Sequence, residues 1–400
     1  MKAGWKTVKL GEVADIYNGN TIPDKEKKRL LALPNSGLPF IATKDVGFDG
    51  VVDYENGINI PKVEAVDFKV AKADAVLVCA EGGSAGRKIG HINRDVHFGN
   101  KLFALNATHA VNPRYLYHFC QSEDFRKKFK SLKAGLIGGV SVAKFKIIEI
   151  PLPPLAEQKR IVALLDEAFA GIDEAKAKAE TNNENAKAVF ARHLKSVFQD
   201  APEDWIVRTI GDVCALKSGT TVAANIEKSF GDIPYLKVAD MNIPANRNEI
   251  TTSSRFLDKS DVKSANIIPA GSTIFPKRGG AILTNKKRVT TVPICADLNI
   301  MAAIPSDVLD STFLYFYFLG VDMKKLGGGS SIPQINNYDI APLLVCLPTN
   351  IETQRQVARK LADIREKTQT LNMLLEQKLA RLSDLKKSLL SQAFAGELNA

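Results

Sequence analysis

The sequence predicts a duplicated α/β (α+β) fold in which two similar heads, related by a pseudo-two-fold axis, are separated by two long antiparallel coiled-coil helices. Two observations support this prediction: an internal repeat, and a long helix-forming stretch after each head. The repeat has an offset of 200 residues in a chain of 400, and it is marked by the pairs Trp5/Trp205, Gly11/Gly211, Val13/Val213, Gly19/Gly219 and Thr21/Thr221. A period this long indicates a duplicated domain and not a solenoid.

The two heads are predicted at residues 1–154 and 201–349. Turn formers interrupt both segments, and short β-type runs predict strands at 38–42, 75–79, 233–237 and 272–275. A glycine pair follows the later run of each head, as Gly82-Gly83 and Gly279-Gly280, and further along Asn100 aligns with Asn299. Because glycine permits tight turns and the close approach of a ligand, functional loops are predicted beside these pairs.

The two helices are predicted at residues 155–200 and 350–400, where proline and glycine almost vanish. A 4-3 spacing marks a coiled-coil seam in each helix. The first seam comprises Ile161, Leu165, Ala168, Ile172, Ala175, Ala179, Asn182, Ala186, Val189 and His193. The second comprises Val357, Leu361, Ile364, Thr368, Leu371, Leu375, Lys378, Leu382, Leu385 and Leu389. Small residues in one seam and leucines in the other are complementary in size and favour pairing within the chain. Because the two-fold axis inverts one helix relative to the other, this pairing is predicted to be antiparallel. Packing of each helix on its own head, or dimerisation with another chain, is the alternative.

The net charge of +10 suits a polyanionic partner, because basic side chains that neutralise phosphates release counterions. The excess is uneven. Residues 1–154 carry 23 basic and 16 acidic side chains, a net charge of +7, whereas residues 201–349 carry 15 and 14, a net charge of +1. Charge alone is therefore a weak indication of DNA binding for the second head. The apolar runs are too short to cross a bilayer, so we expect a cytoplasmic location and no membrane partner.

The sequence lacks the motifs of several enzyme classes. Residues 82–88 have the wrong glycine spacing for a P-loop, and residues 152–155 lack the polar and aromatic residues of an adenine methyltransferase motif. The histidines and the five cysteines show no metal-ligand spacing. Asp24, Asp67 and Lys69 match a nuclease trio only loosely, with nothing similar in the second head. We predict no catalytic residue, no metal site and no cofactor on this chain.

The motifs at the start and end of each half resemble one family, the specificity (S) subunits of type I restriction-modification enzymes. Each half opens on Trp-x-x-x-x-Leu/Ile-Gly-Glu/Asp-Val, at residues 5–13 and 205–213. The first head ends on Pro-Leu-Pro-Pro-Leu-Ala-Glu-Gln-Lys-Arg-Ile at 151–161, and residues 389–398 are similar to the usual ending of the family. The second exit, 347–355, departs from the first: Thr349-Asn350 replaces Pro154-Leu155, and Thr353 replaces Glu157.

The resemblance implies that the heads are target recognition domains, each reading one half of a bipartite DNA sequence, and that the helices are the central and C-terminal conserved helices that set the unread spacer. It also implies double-stranded DNA, two modification (methyltransferase) subunits and restriction/translocase subunits as partners. S-adenosylmethionine is then expected on the modification subunit and not on this chain. The chain itself is expected to be a non-catalytic specificity subunit.

Base readout requires arginine, lysine, asparagine or glutamine on loops that enter a groove, while phosphate contacts require only positive charge. In the first head the candidate DNA-binding residues are Lys44, Arg87, Lys88, Lys101 and Lys144. In the second head they are Lys237, Lys277, Arg278, Lys286, Lys287, Arg288, Gln334 and Asn336, the last two following Gly327-Gly328-Gly329 as candidate adenine readers. For each of these residues, a solvated surface position is the alternative.

A different class of function remains open at this point: a non-catalytic protein scaffold, with heads that bind other proteins and a coil that serves as a dimerisation device. A solitary restriction or methylation enzyme is a third hypothesis, and the missing motifs argue against it. DNA binding that depends on the basic residues near the glycine pairs distinguishes the first hypothesis from the scaffold.

Overall fold

The computed structural model describes residues 4–32, 36–133, 138–326 and 333–398. The chain divides into two compact units: unit 1 comprises residues 1–180 and 377–400, and unit 2 comprises residues 181–376. Each unit therefore contains one head together with part of both long helices. The triple glycine at 327–329, which we expected to precede two adenine readers, lies outside the described residues.

Head 1 contains strands that form two four-stranded sheets and one pair. The strands are β1 (Lys6–Lys9), β2 (Ala14–Asn18), β3 (Leu38–Ile41), β4 (Asn59–Ile60), β5 (Val70–Ala71), β6 (Val76–Cys79), β7 (Ile89–His91), β8 (Val96–Phe98), β9 (Leu102–Ala107) and β10 (Glu149–Leu152). The helices are α1 (Leu10–Val13), α2 (Asp24–Leu31), α3 (Pro113–Gln121), α4 (Glu123–Ser131), α5 (Val142–Lys146) and the long helix α6 (Leu155–Gln199).

The sheets of head 1 place its loops. One sheet is antiparallel, in the order β2-β9-β6-β7, and the other is mixed, in the order β4-β3-β8-β5 with β3 and β8 parallel. The pair β1-β10 joins the entry of the chain to its exit just before α6. Helices α3, α4 and α5 pack on the antiparallel sheet, where rings such as Tyr115, Phe125 and Phe145 are fully buried. A core of this size holds the connecting loops in place at the edges of the sheets.

Head 2 repeats this arrangement with different loops. Its strands are β11 (Ile206–Thr209), β12 (Cys214–Ser218), β13 (Ile233–Leu236), β14 (Glu249–Ile250), β15 (Phe256–Leu257), β16 (Thr273–Pro276), β17 (Arg288–Thr290), β18 (Cys295–Ala296), β19 (Ile300–Pro305) and β20 (Leu344–Leu347). Its helices are α7 (Ile210–Val213), α8 (Ser311–Gly320), α9 (Asn337–Ile340) and the second long helix α10 (Ile351–Ala395). The sheet orders are β12-β19-β16-β17-β14 and β15-β13-β18, with the pair β11-β20.

The hydrogen bonds confirm the duplication residue by residue. Asp45 and Asp240 are both buried, and each accepts a backbone N–H from three residues earlier, Ala42 or Lys237, at 2.8 Å. The same bonds correct one predicted equivalence. The N–H of Ala80 donates to the carbonyl of Lys101 and that of Lys277 donates to the carbonyl of Asn299, both at 2.8 Å. Lys101, and not Asn100, is therefore the counterpart of Asn299.

Within unit 1 the long helices pair in antiparallel fashion. Arg160 donates from Nη2 to the carbonyl of Leu398 at 3.0 Å, and Lys386 lies 3.6 Å from Asp173. Between these two contacts the residue number rises by 13 on α6 (173 − 160) and falls by 12 on the C-terminal segment that contains α10 (398 − 386). Opposite directions of this kind are what antiparallel helices require. Within unit 2, Leu194 of α6 and Leu361 of α10 are buried in one core with α8.

The predicted seams are confirmed at some positions and wrong at others. The residues buried as predicted include Ile161, Leu165, Ile172, Ala179, Ala186, Leu361 and Leu375. The residues that instead face solvent include Val189, His193, Leu371 and Leu385. At these places the next residue in the sequence turns inward: Phe190, Leu194, Asn372 and Lys386. A straight helix of 3.6 residues per turn drifts about 20° per heptad from a strict seven-residue repeat, which moves the buried stripe by one position.

Candidate nucleic-acid interface

Four of the predicted DNA-binding residues meet on one edge of head 2. Lys277 and Arg278 follow β16 directly, and residues 333–335 run antiparallel beside them. The N–H of Gly279 donates to the carbonyl of Pro333 at 2.7 Å, and that of Ile335 donates to the carbonyl of Lys277 at 2.8 Å. This backbone ladder brings Gln334 opposite Arg278, although 56 positions separate them in the sequence (334 − 278).

The side chains on this edge form a connected polar row. Gln334 donates from Nε2 to Oδ1 of Asn336 at 2.7 Å, and Asn336 donates from Nδ2 to the hydroxyl of Tyr338 at 2.8 Å. Lys277 donates to the hydroxyl of Ser218 at 2.8 Å, and burial lowers the pKa of this lysine. Arg278 is exposed beside this row. Amides held in place beside an arginine have the chemistry that reads base edges.

Other basic residues of head 2 serve the fold. Lys287 is 2% exposed; its ammonium donates to the carbonyl of Val321 at 2.6 Å and to Oδ1 of Asn285 at 2.8 Å, and burial lowers its pKa to about 8. Arg288 donates to the backbone carbonyls of Asn246, Lys287 and Met241. Because its charge does not reach the surface, Lys287 has a structural role in place of the predicted DNA contact.

Two further candidates of head 2 are held by polar neighbours. Lys237 pairs with Glu227 at 2.8 Å, and its ammonium also lies 5.6 Å from the ring centre of Tyr235. Lys286 donates to Oδ1 of Asn242. Both side chains are half-buried, so they keep one face toward solvent, but a phosphate has to compete with an existing partner. Arg278 is the cation that faces solvent on this edge.

In head 1 the predicted residues fall into two groups. Arg87 and Lys88 lie over the ring of Phe48, and the side chain of Lys44, 70% exposed, lies in the segment just before that ring. Lys101 pairs with Glu81 at 3.2 Å beside Gly82, while Lys144 is exposed on α5. The backbone equivalence above places Glu81 where head 2 has Arg278. Head 2 therefore presents an exposed arginine where head 1 presents a carboxylate that is paired with a lysine.

Sequence reasoning missed two exposed aromatic rings beside these candidates, one in a loop of head 1 and one on α9 of head 2. Phe48 is 60% exposed and Tyr338 is 73% exposed. The candidates chosen by residue type are charged and amide side chains, because aromatic residues are usually expected in the core. The segment Gly47-Phe48-Asp49-Gly50 contains a signal that could have found the first ring, since turn formers flank a single large apolar residue.

A polar cluster joins head 1 to α6 within unit 1. His118, 1% exposed, shares a hydrogen bond of 2.8 Å with Oδ1 of Asp166, and Arg114 donates to both carboxylate oxygens at 2.6 and 3.3 Å. Burial lowers the pKa of His118, so the neutral ring donates from Nε2. Desolvation by itself raises the pKa of Asp166, but the bonds from His118 and Arg114 outweigh it and lower this pKa to about 2.

We predict that acidification destabilises unit 1. The folded pKa values of His118 and Asp166 both lie below their ordinary values, so the unfolded state binds more protons and stability falls as pH decreases. The histidine contribution is lost below about pH 6.5, and the carboxylate contribution between about pH 4 and pH 2. Protonation adds a donor at Nδ1 of His118, which is buried without a hydrogen-bond partner among the described residues.

Hydrogen exchange of α3 peptides between pH 7 and pH 5 measures this effect. The variant His118→Phe removes the titrating ring and should therefore reduce the pH dependence. Phenylalanine is chosen because Phe316 occupies the equivalent position of head 2. His91, on the other side of Tyr117, also has a pKa lowered by burial and remains in the variant, so some dependence should persist. Peptides from α8 serve as the internal control. An unchanged pH dependence of α3 in the variant contradicts the prediction.

Metal-ligating side chains do not cluster in the described part of the chain: no group of three or more His, Cys, Asp or Glu residues there is arranged to hold a metal ion. The five cysteines form no disulfide; four are buried, and burial raises the pKa of thiols such as Cys120. None of the described helices is long and apolar enough to cross a membrane.

The model of the type I restriction modification DNA specificity domain matches the chain twice, at residues 2–182 and 202–381. The chain belongs to this family. The duplicated match agrees with the two heads, and the fold predicted from the sequence is confirmed. The family places the chain among specificity subunits, which do not themselves methylate or cleave DNA.

Curated relatives and solved structures agree with this assignment. The type I restriction enzyme StySPI specificity subunit of Salmonella potsdam is 26% identical over 99% of this chain and 90% of the relative, and the EcoKI specificity subunit of Escherichia coli K12 is 24% identical over the same shares. A chain from a type I R-M assembly matches with a TM-score of 0.78 at 19% identity, covering 100% of this chain and 99% of that one. The HsdS subunit of Thermoanaerobacter tengcongensis matches with a TM-score of 0.61 at 20% identity, covering 100% and 98%. These two likenesses concern the fold.

Proposed function

We propose that this chain is the DNA-recognition subunit of a type I restriction-modification complex, in which each head reads one half of a bipartite double-stranded target. The observation that carries the proposal is the difference between equivalent loops of a duplicated fold. Head 2 assembles Arg278, Gln334 and Asn336 on one edge, whereas head 1 has Glu81 at the position of Arg278. Two heads with the same framework and different reading groups suit two different half-sites.

We assign the unread spacer and the contacts with partner subunits to the long helices α6 and α10. On α10 within unit 2, Leu371 and Leu374 lie on one face of the helix and are 45% and 55% exposed. Leucines that face solvent along a helix mark a surface for other helices. We assign this surface to the two modification subunits, on which S-adenosylmethionine is expected, and expect restriction/translocase subunits to join them. We expect the complex to act in the cytoplasm.

Base-resolution methylome sequencing of cells that express the chain with its modification subunits tests the proposal. We expect adenine methylation at a gapped two-part motif. The variant Arg278→Ala should relax one base of one half-site and lower modification there by roughly 5- to 150-fold, since a good base contact contributes about 1–3 kcal/mol of discrimination. The other half-site should not change.

The matched control is Lys263→Ala, which removes an exposed positive charge of head 2 from the segment between β15 and β16. It should leave the motif intact. Relaxation of both half-sites by Arg278→Ala, or of neither, contradicts the assignment of reading groups. Assembly with partner proteins in the absence of any gapped methylation motif supports the scaffold function instead.

A further inference from the structure

A tight turn in head 1 presents a single aromatic ring. Val46 and Val52 form a β-bridge, and between them the N–H of Gly47 donates to the carbonyl of Val51 at 2.8 Å. Oδ1 of Asp49 accepts the N–H of Val51 at 3.1 Å. We call residues 46–52 the Phe48 turn. Its internal bonds fix the backbone on both sides of Phe48. The turn therefore does not have to become ordered when the ring meets a partner.

The Phe48 turn lies flush against α3 and β7. Gly50 has φ = +89°, and a Cβ at this residue would lie 2.3 Å from the hydroxyl of Tyr117. A Cβ on Gly90 of β7 would lie 2.5 Å from Cγ2 of Val52. The turn is therefore backed by buried structure and cannot collapse onto the head.

Positive charge surrounds the exposed ring. The guanidinium of Arg87 lies 4.9 Å, and the ammonium of Lys88 5.3 Å, from the ring centre. Lys88 is further held by donating to the carbonyl of Thr43 at 3.0 Å. A protein-binding centre is usually depleted of charge around its aromatic anchor. An aromatic ring flanked by two cations on a rigid loop is instead suited to a nucleic acid, where apolar base groups lie between phosphates.

The cleft beside the turn is lined by apolar side chains, among them Ile89 and Leu382, and by charged side chains that are mostly basic. It encloses about 470 Å³ within unit 1, between the Phe48 turn, α4 and the paired helices. Its basic residues are Arg87, Arg126, Lys176, Lys386 and Lys387, and its acidic residues are Asp49, Glu123 and Asp173. The cations outnumber the carboxylates by two (5 − 3). The surface next to Phe48 thus attracts a phosphate backbone.

We propose that Phe48 is a specificity-determining residue of head 1, which contacts the C5-methyl group of a thymine in the major groove while Arg87 and Lys88 hold the flanking phosphates. The inference rests on the proposed function and deepens it by naming a base group and the residue that reads it. A phenyl ring recognises the thymine methyl by apolar contact, since that methyl is the one apolar group that a base pair presents in the major groove.

The test uses the complex of the full chain with its modification subunits and duplexes carrying the target motif. Replacing one thymine of the head 1 half-site at a time by deoxyuridine removes only the methyl group. At one position we expect the affinity of the wild-type complex to fall about fourfold, the effect of burying one such group. With Phe48→Ala, thymine and deoxyuridine at that position should bind equally. Phe48→Leu should retain part of the difference.

Val66→Ala is the matched control, because Val66 is an apolar residue of the same head that is 87% exposed. It should preserve the thymine preference. The inference is overturned if Phe48→Ala keeps the full preference, if the head 1 half-site contains no thymine, or if the variant fails to assemble with the modification subunits, which identifies the ring as a protein contact. If the wild-type complex binds no gapped motif, the proposed function itself is wrong, and not only the role assigned to Phe48.

Discussion

Replacing Gln158 by leucine is expected to lower the stability of unit 1 by about 3 kcal/mol or more, a fall in Tm of roughly 10 °C. Gln158 is 0% exposed. Its Oε1 accepts the N–H of Asn112 at 2.7 Å, and its Nε2 donates to the carbonyls of Ala110 and Pro153 at 3.2 and 2.9 Å. Leucine fills the space but removes the partner of three buried or half-buried backbone groups, which costs more than the bonds themselves contribute.

Gln354 makes the same three bonds in unit 2. Its Oε1 accepts the N–H of Asp310 at 2.8 Å, and its Nε2 donates to the carbonyls of Val308 and Pro348 at 3.0 and 2.8 Å. Asn112 and Asp310 cap the N-termini of α3 and α8, so each glutamine ties the start of a long helix to the head beside it. Gln354→Leu should have an equal effect on unit 2.

Thermal unfolding followed by circular dichroism, together with hydrogen exchange of α3 and α8, measures both effects. The matched control is Gln356→Leu, because Gln356 lies on the same helix two residues beyond Gln354 and is exposed. It should change Tm by less than about 2 °C, as expected for a surface substitution. If Gln158→Leu and Gln356→Leu were equally harmless, the glutamines would not clamp the helices.

The sequence was sufficient to predict the duplication, the mixed heads and both long helices, because these depend on local patterns: repeated motifs, turn formers and the loss of proline. It could not locate the buried seam beyond a few turns. Asn372 and Lys386 lie in the seam while Leu371 and Leu385 face solvent. This choice depends on helix drift and on the packing of each helix against a head, neither of which appears in the local sequence.

The candidate site was predicted in part. Lys277, Arg278, Gln334 and Asn336 were chosen by residue type, and the structure places them on one edge through a backbone ladder that no local pattern reveals. Whether they contact DNA stays a prediction. Lys287 shows the limit of reasoning from charge. Its ammonium is buried because Asn285, in a left-handed conformation with φ = 53°, and a distant carbonyl provide acceptors.

The motif at the head exits shows the same limit. In its second copy Thr353 replaces Glu157 while glutamine is kept, and the structure explains the difference. Glu157 forms a half-buried ion pair with Arg160, with 2.8 Å between Oε2 and Nε. Gln158 and Gln354 are fully buried and bind the backbone of their heads. The exit of head 2 therefore keeps the glutamine clamp and has no acidic residue at the position of Glu157.

Gly219→Ala is expected to destabilise unit 2 by about 3 kcal/mol or more, because the new methyl overlaps backbone that cannot move aside as a side chain can. A Cβ on Gly219 would lie 2.1 Å from the carbonyl oxygen of Asp297 and 2.3 Å from that of Ala296. The approach is fixed by the adjacent bonds: Gly219 N–H donates to the carbonyl of Ile300 at 2.9 Å and Thr220 N–H to that of Ala296 at 2.8 Å. Relief of the overlap requires these bonds to break.

The duplicated fold provides both a replicate and a control for this prediction. A Cβ on Gly19 would lie 2.0 Å from the carbonyl oxygen of Phe98, so Gly19→Ala should destabilise unit 1 to the same extent. A Cβ on Gly83 or Gly280 would meet nothing within 4 Å, and alanine at these positions should be neutral in urea unfolding. Destabilisation by Gly280→Ala equal to that by Gly219→Ala would contradict the steric argument. If both alanines at the open positions keep the fold but weaken DNA binding, then these glycines are retained for close approach to the duplex, and the glycines of the repeat for close approach of the chain to itself.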